Sequence, residues 1–213
     1  MLRAASGLRR LLVRLPTWVG DAVMATPALR ALRATCPRAE IIAQGRPRLL
    51  DLLDGAGLYD RAIPTASGRS RTRANVQAIR EVAPDAAILL PHSFRVAWET
   101  FRARVPLRLG YSRQGRVALL TDSIPPHRQS GRILPVPMAQ EYLELAAVLG
   151  ASGDGRGPRL AIPEDVRARG LEALERLGIG PTESFFTLNP GASVGPSKVS
   201  PVDAILTRKD AGA

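Results

Sequence analysis

Aromatic side chains are scarce in this 213-residue chain, making up 4% of it. Any core must therefore be filled by Leu, Val, Ile and Ala, and a hydrophobic fraction of 45% supplies enough of them to exclude wholesale disorder. Cysteine occurs once, as Cys36, so no internal disulfide can form and a reducing compartment is expected. The two histidines, His92 and His127, give no metal-ligand spacing with that cysteine, and neither a metal nor any other cofactor is expected. Acidic residues are few: 19 face 30 basic ones, for a net charge of +11. That balance favours anionic partners such as phosphorylated sugars, nucleic acid or an acidic membrane surface. Because the charge is spread along the chain without a basic block, a merely solvated arginine-rich surface is the alternative.

Long hydrophobic runs are missing too. None approaches the roughly 18 residues that span a bilayer. Met1 to Arg10 is basic and leads into Leu11–Val13, but Arg14 and Asp21 interrupt the run and no small-residue cleavage site follows. This segment reads as a short leader into a first strand, and the protein as cytoplasmic, with peripheral contact to a membrane surface left open.

What the chain does have is alternation. Leu11–Leu15, Glu40–Ala43, Arg61–Pro64, Asp85–Leu90, Arg108–Tyr111 and Val117–Leu120 read as short strands. Between them, helical spacing predicts helices over Asp21–Thr35, Leu49–Leu53, Asn75–Val82 and Ser93–Arg104, the last with Phe94, Trp98 and Phe101 on related faces. Ala66–Arg73 and Pro125–Pro137 read as loops, and Met138–Leu149 as a helix closed by Gly150. Such alternation favours a Rossmann-like domain, a parallel sheet covered on both faces, over residues 1–150. Glycines in 151–158 suggest a linker. A second α/β unit then opens over 159–213, with strands expected at Arg159–Ile162 and Phe185–Leu188 around a helix at Glu164–Leu177.

Three places carry candidate chemistry. Pro16-Thr17-Trp18-Val19-Gly20-Asp21 lies between the first strand and the first helix, where open α/β sheets face their ligand crevice. Gly20 would allow close backbone approach, and Asp21 could take a proton from a sugar hydroxyl; helix capping by Asp21 is the alternative. The G-x-G-x-x-G spacing fails here, which disfavours a dinucleotide enzyme. Pro91-His92-Ser93-Phe94-Arg95 follows the strongest strand, so His92, Ser93 and Arg95 are candidate acceptor contacts. Capping by Ser93 and packing by Phe94 are the alternatives. Arg113 and Arg116 are candidates to grip phosphate or carboxylate, or simply surface arginines. Asn189-Pro190-Gly191-Ala192-Ser193-Val194-Gly195-Pro196-Ser197-Lys198 is a Gly/Ser-rich turn that could aim N–H groups and Lys198 at a phosphate, or be an ordinary turn. It is not a Walker A loop, because the Gly-Lys pair is misplaced.

The run Leu12-Val13-Arg14 … Trp18-Val19-Gly20-Asp21-Ala22-Val23-Met24 … Thr26-Pro27-Ala28-Leu29-Arg30-Ala31-Leu32 is very similar to the opening of the lipopolysaccharide heptosyltransferases, glycosyltransferase family 9. Leu90-Pro91-His92-Ser93-Phe94-Arg95, Arg108-Leu109-Gly110-Tyr111 and Pro137-Met138 … Tyr142-Leu143 resemble later landmarks, and the Asn189–Lys198 turn resembles the heptosyltransferase II branch. The resemblance implies a GT-B enzyme that moves heptose from ADP-heptose to the lipopolysaccharide inner core. It implies an acceptor-binding N-terminal domain and a second, nucleotide-sugar-binding domain. Under it Asp21 is the general base, Ser193, Gly195 and Lys198 meet the donor diphosphate, and Gly20, His92, Ser93, Arg95 and Arg113 meet the acceptor. The family's Trp-Pro after the loop lysine is replaced by Val199-Ser200-Pro201. The family pattern also continues beyond the sequence given, so a C-terminally truncated chain with little transfer activity of its own is the expectation. A non-catalytic domain binding an anionic glycolipid or membrane surface is the other reading. Nucleic acid is not expected, since no interleaving of basic and aromatic residues supports it.

Overall fold

A computed structural model describes residues 7–180 and 182–186. Six strands form one parallel sheet: β1 (Arg10–Arg14), β2 (Glu40–Gly45), β3 (Arg61–Pro64), β4 (Ala86–Leu89), β5 (Leu107–Tyr111) and β6 (Asp122–Ile124). Their spatial order is β3-β2-β1-β4-β5-β6, the doubly wound arrangement. The helices are α1 (Val19–Met24), α2 (Thr26–Thr35), α3 (Pro47–Leu53), α4 (Arg71–Val82), α5 (Phe94–Arg102) and α6 (Met138–Ala147).

The strand pleat explains the two-sided core. Leu11 and Val13 of β1 point into one hydrophobic cluster with Leu29 and Leu32 of α2, Leu53 of α3 and Tyr142 and Leu145 of α6. Leu12, between them, points into a second cluster with Ile79 of α4 and Val96 and Ala97 of α5. Successive side chains of a strand face opposite ways, so a continuous apolar run requires helices on both faces. All three β1 residues are fully buried, and truncating Leu11 or Leu12 to Ala should cost about 2–5 kcal/mol.

Several expectations are corrected in detail. The helix expected over Asp21–Thr35 is two helices parted at Ala25. Pro27 has no N–H to give Val23, and the Thr26 hydroxyl donates to the Val23 carbonyl instead, at 2.8 Å. Val117–Leu119 is a turn of 3-10 helix, not a strand; the edge strand is β6, which follows it. The loop at 125–137 contains a two-stranded hairpin, β7 (Arg128–Gln129) with β8 (Arg132–Ile133), turned by Ser130 and Gly131 at positive φ.

The chain divides into two compact units between Ile162 and Pro163. In the first, Arg30 of α2 grips the segment after α6: its guanidinium donates to Asp154 at 2.9 and 3.1 Å and to the carbonyls of Arg156 and Gly157. Arg159–Ile162 is not a strand, because it has no ladder partner among the described residues. The described part of the second unit contains one helix, α7 (Glu164–Arg176), none of whose residues is buried. Phe185 and Phe186 are not in a strand; the rest of the strand expected there lies outside the described residues.

Candidate functional site

Strand order locates the crevice. From β1 the chain turns toward α1 and β2 on one side, and from β4 toward α5 and β5 on the other, while β1 and β4 are themselves hydrogen-bonded neighbours. The turns after β1 and β4 therefore part at this point, where ligands of open α/β sheets bind. Gly20 and Asp21 follow one turn; His92 and Ser93 form the other.

Trp18, not Asp21, holds the N-cap position of α1. Asp21 is the third residue of the helix, half-buried, and its carboxylate makes no hydrogen bond among the described residues. The capping explanation for this aspartate therefore fails. Gly20 has a negative φ, and nothing lies within 4 Å of where a Cβ would sit, so the fold itself does not demand glycine there. Beside α1 runs α6, whose Tyr142 is buried. Its phenol is pushed well above the usual range by burial first, then by the charges of Asp21 and Glu141.

Glu141, the preceding residue on α6, ties together two sequence-predicted residues. Its carboxylate accepts from Arg113 at 2.5 Å and lies 3.2 Å from His92 Nε2, close but poorly aligned for a hydrogen bond. Burial raises the Glu141 carboxyl, an effect that Arg113 opposes. His92 is lowered to about 4, by burial first and then by Arg113 and Arg116, so at neutral pH it is an uncharged imidazole. The rings of His92 and Tyr111 meet edge to face at 5.6 Å. The Tyr111 hydroxyl donates to Glu144 at 2.6 Å, and Glu144 also contacts His127 at 2.8 Å.

Arg116 is structural. It is fully buried, donates to the Tyr111 carbonyl at 2.9 Å and reaches the carbonyls of Pro91 and Ser93, thereby tying β5 to the turn that carries His92. Burial lowers its pKa to about 10, still high enough to keep it charged. Gly110 makes room for it: a Cβ there would lie 3.0 Å from Arg116 Nη2.

Ser93 occupies the N-cap of α5 without a side-chain capping bond, and Phe94 is 47% exposed, so neither bland alternative describes them. Arg95 turns to a different group. It lies 3.8 Å from Glu99, which is buried and bonded to Arg14 at 2.8 Å and to Asn75 at 3.1 Å. The structure thus gathers Asp21, His92 and Arg113 around α6 and sets Arg95 in the network beneath α5. Ser193, Gly195 and Lys198 lie outside the described residues. Sequence reasoning missed Glu141 and Tyr142 as site residues. The available signal was a glutamate directly before the buried stripe Tyr142, Leu145 and Ala146 of α6.

A parallel sheet in this order, with its crevice at the switch point, is a Rossmann-like, doubly wound domain. No family model matches the sequence. Among curated proteins the chain is similar to lipopolysaccharide heptosyltransferase 2 of Salmonella typhimurium, at 29% identity over 89% of this chain and 56% of the relative. The Escherichia coli heptosyltransferase 2 is 28% identical over the same shares. The solved structure of E. coli ADP-heptose lipopolysaccharide heptosyltransferase II matches with a TM-score of 0.70, 27% identity and coverage of 94% of this chain and 60% of that one. A glycosyltransferase family 9 structure from Veillonella parvula shares the fold, with a TM-score of 0.72 at 21% identity over 87% of this chain and 54% of that one. The chain is similar to these heptosyltransferases and spans about half the length of the curated relatives it matches.

Proposed function

We propose that these residues form the acceptor-binding half of a heptosyltransferase that transfers heptose from ADP-heptose to the lipopolysaccharide inner core. The observation that carries this reading is the place of Asp21. It is a half-exposed carboxylate without a hydrogen bond among the described residues, at the switch point of a fold shared with heptosyltransferase II. In the reaction, Asp21 takes the proton of an acceptor hydroxyl as that oxygen bonds to the anomeric carbon and the diphosphate leaves. With no hydrogen bond to another described residue, both carboxylate oxygens would be available to the incoming hydroxyl. In this reading neutral His92 and the Ser93 hydroxyl would hydrogen-bond acceptor hydroxyls, Gly20 would leave open space for a sugar to approach, and Arg113 would supply positive charge. Arg95, already engaged by Glu99, would contribute charge from the rim. We assign residues 1–150 to the acceptor domain, 151–158 to the connection, and 159–213 to the opening of the nucleotide-sugar domain. There Ser193, Gly195 and Lys198 would face the donor diphosphate.

Among the described residues no helix is long and apolar enough to cross a membrane. We place the protein in the cytoplasm, working at the inner face of the inner membrane. The test joins residues 1–158 to the C-terminal half of the Salmonella relative and supplies ADP-heptose with an inner-core acceptor. Transfer is expected, and Asp21→Asn should lower kcat by roughly 100- to 10,000-fold with the acceptor KM little changed. A folded, donor-binding chimera that transfers nothing, or an Asp21→Asn chimera as active as its parent, would overturn the reading.

A further inference from the structure

Helix α5 turns Val96, Ala97, Glu99 and Thr100 inward and leaves Phe94, Trp98 and Phe101 outside, at 47, 37 and 41% exposure. The three rings form one helical stripe. Phe94 and Trp98 stack at 6.5 Å, and Trp98 and Phe101 at 5.9 Å. In a chain with so few aromatics, a row of three on the outer face calls for a cover.

The charge around the row is of one sign. A groove between α4 and α5 is lined by Arg69, Arg73, Arg80 and Arg102 together with Trp98, and an adjoining hollow adds Phe101, Arg104 and Arg108. None of these six arginines forms an ion pair among the described residues. Two of the six instead lie over the rings: Arg102 at 5.6 Å from the Trp98 centroid and Arg108 at 5.5 Å from that of Phe101. The face is therefore aromatic in the middle and cationic around it.

We propose that this α4–α5 face docks on the anionic headgroup layer of a phospholipid membrane. Trp98 and its flanking phenylalanines would settle at the headgroup–acyl boundary, with the arginines among the phosphates. A single-stranded nucleic acid fits less well. Its bases need free ring faces, and here the rings stack on one another and carry guanidinium groups. Docking would also hold the crevice near the lipid surface, since Phe94 is two residues from His92. The proposal does not rest on the transfer reading, and its test contains no sugar nucleotide.

The test uses the full chain with Trp18→Phe, which leaves Trp98 as the sole tryptophan. Vesicles of phosphatidylcholine with a quarter phosphatidylglycerol should shift its emission to the blue, and brominated acyl chains should quench it. Pure phosphatidylcholine vesicles should do neither. Neutralising an arginine at the surface should weaken binding about fivefold, so Arg73→Gln/Arg102→Gln should weaken it about 25-fold. Both side chains are exposed and form no ion pair among the described residues, so that variant should keep the parent's circular dichroism spectrum. An unchanged Trp98 emission while the protein sediments with vesicles would overturn the proposal. So would an arginine double variant that binds as tightly as its parent, or an oligothymidylate that binds more tightly than the anionic vesicles.

Discussion

Glu99 is fully buried on the inner face of α5, bonded to Arg14 of β1 at 2.8 Å and to Asn75 of α4 at 3.1 Å. Arg14 is 4% exposed, and burial lowers its pKa even though Glu99 opposes the effect. Replacing Glu99 by Met leaves a buried guanidinium without its counter-charge and Asn75 without an acceptor. Breaking one side of such a pair costs about 3–5 kcal/mol, which for a domain of this size lowers Tm by about 6–20 °C. Replacing both partners behaves differently. Arg14→Met/Glu99→Met removes both charges and leaves chiefly the orphaned Asn75 amide, a cost of about 1–3 kcal/mol. The double variant should therefore be more stable than Glu99→Met alone. Urea unfolding followed by tryptophan emission is the assay, since Trp18 and Trp98 both lie in the first unit. A Glu99→Met cost below about 1 kcal/mol, or a double variant whose loss equals the sum of the single ones, would refute the argument.

His92, at about 4 in the folded protein against an ordinary 6.5, gives a pH dependence of known sign. Below pH 6.5 the unfolded chain takes up a proton that the folded one refuses, so this residue's contribution is full above 6.5 and is lost steadily as pH falls toward 4. The slope of stability against pH over that window should be smaller in His92→Gln, and an equal slope in both proteins would count against the burial argument. Gly110→Ala should push Arg116 off the β5 backbone and cost about 1–3 kcal/mol, read by denaturant unfolding. Weaker amide protection at Ser93 and Phe94 should accompany it, because Arg116 holds that turn. Unchanged exchange there would show that the arginine does not position it.

Much of the sheet was legible because β1 and β4 are buried on both faces and so read as unbroken apolar runs. The crevice was partly legible, because a turn after a strand must open on the same sheet edge as any other such turn. Local pattern failed where the decision was tertiary. Val117–Leu119 is as apolar as a strand, yet it winds into a 3-10 turn in which the Leu119 N–H donates to the Arg116 carbonyl; the pairing with β5 goes to Asp122–Ile124 instead. Arg159–Ile162 has strand composition but no neighbour to pair with among the described residues. The residues that organise the site were the least visible. Glu141 and Glu99 look like ordinary helical glutamates in sequence, and only packing shows that one faces His92 and Arg113 and the other faces Arg14.

These two glutamates act on the same stretch of chain from opposite faces of the sheet. Arg116, buried on the β5 side, holds the carbonyls of Pro91 and Ser93, and Glu141 stands against the His92 ring. Glu99 anchors the helix that begins two residues after His92 to β1, the strand that delivers Asp21. The two turns that frame the crevice are thus fastened to each other through buried polar groups, and not only through loop backbone. Polar groups so placed lose their freedom when the chain folds, leaving less to be ordered when a ligand arrives. If that account is right, Glu99→Gln, which keeps the shape but drops the charge, should loosen both turns together. Hydrogen exchange at Val19–Asp21 and at His92–Phe94 should then rise in concert. A rise confined to the α5 side would mean that the two turns are held independently and that the crevice is shaped by each alone.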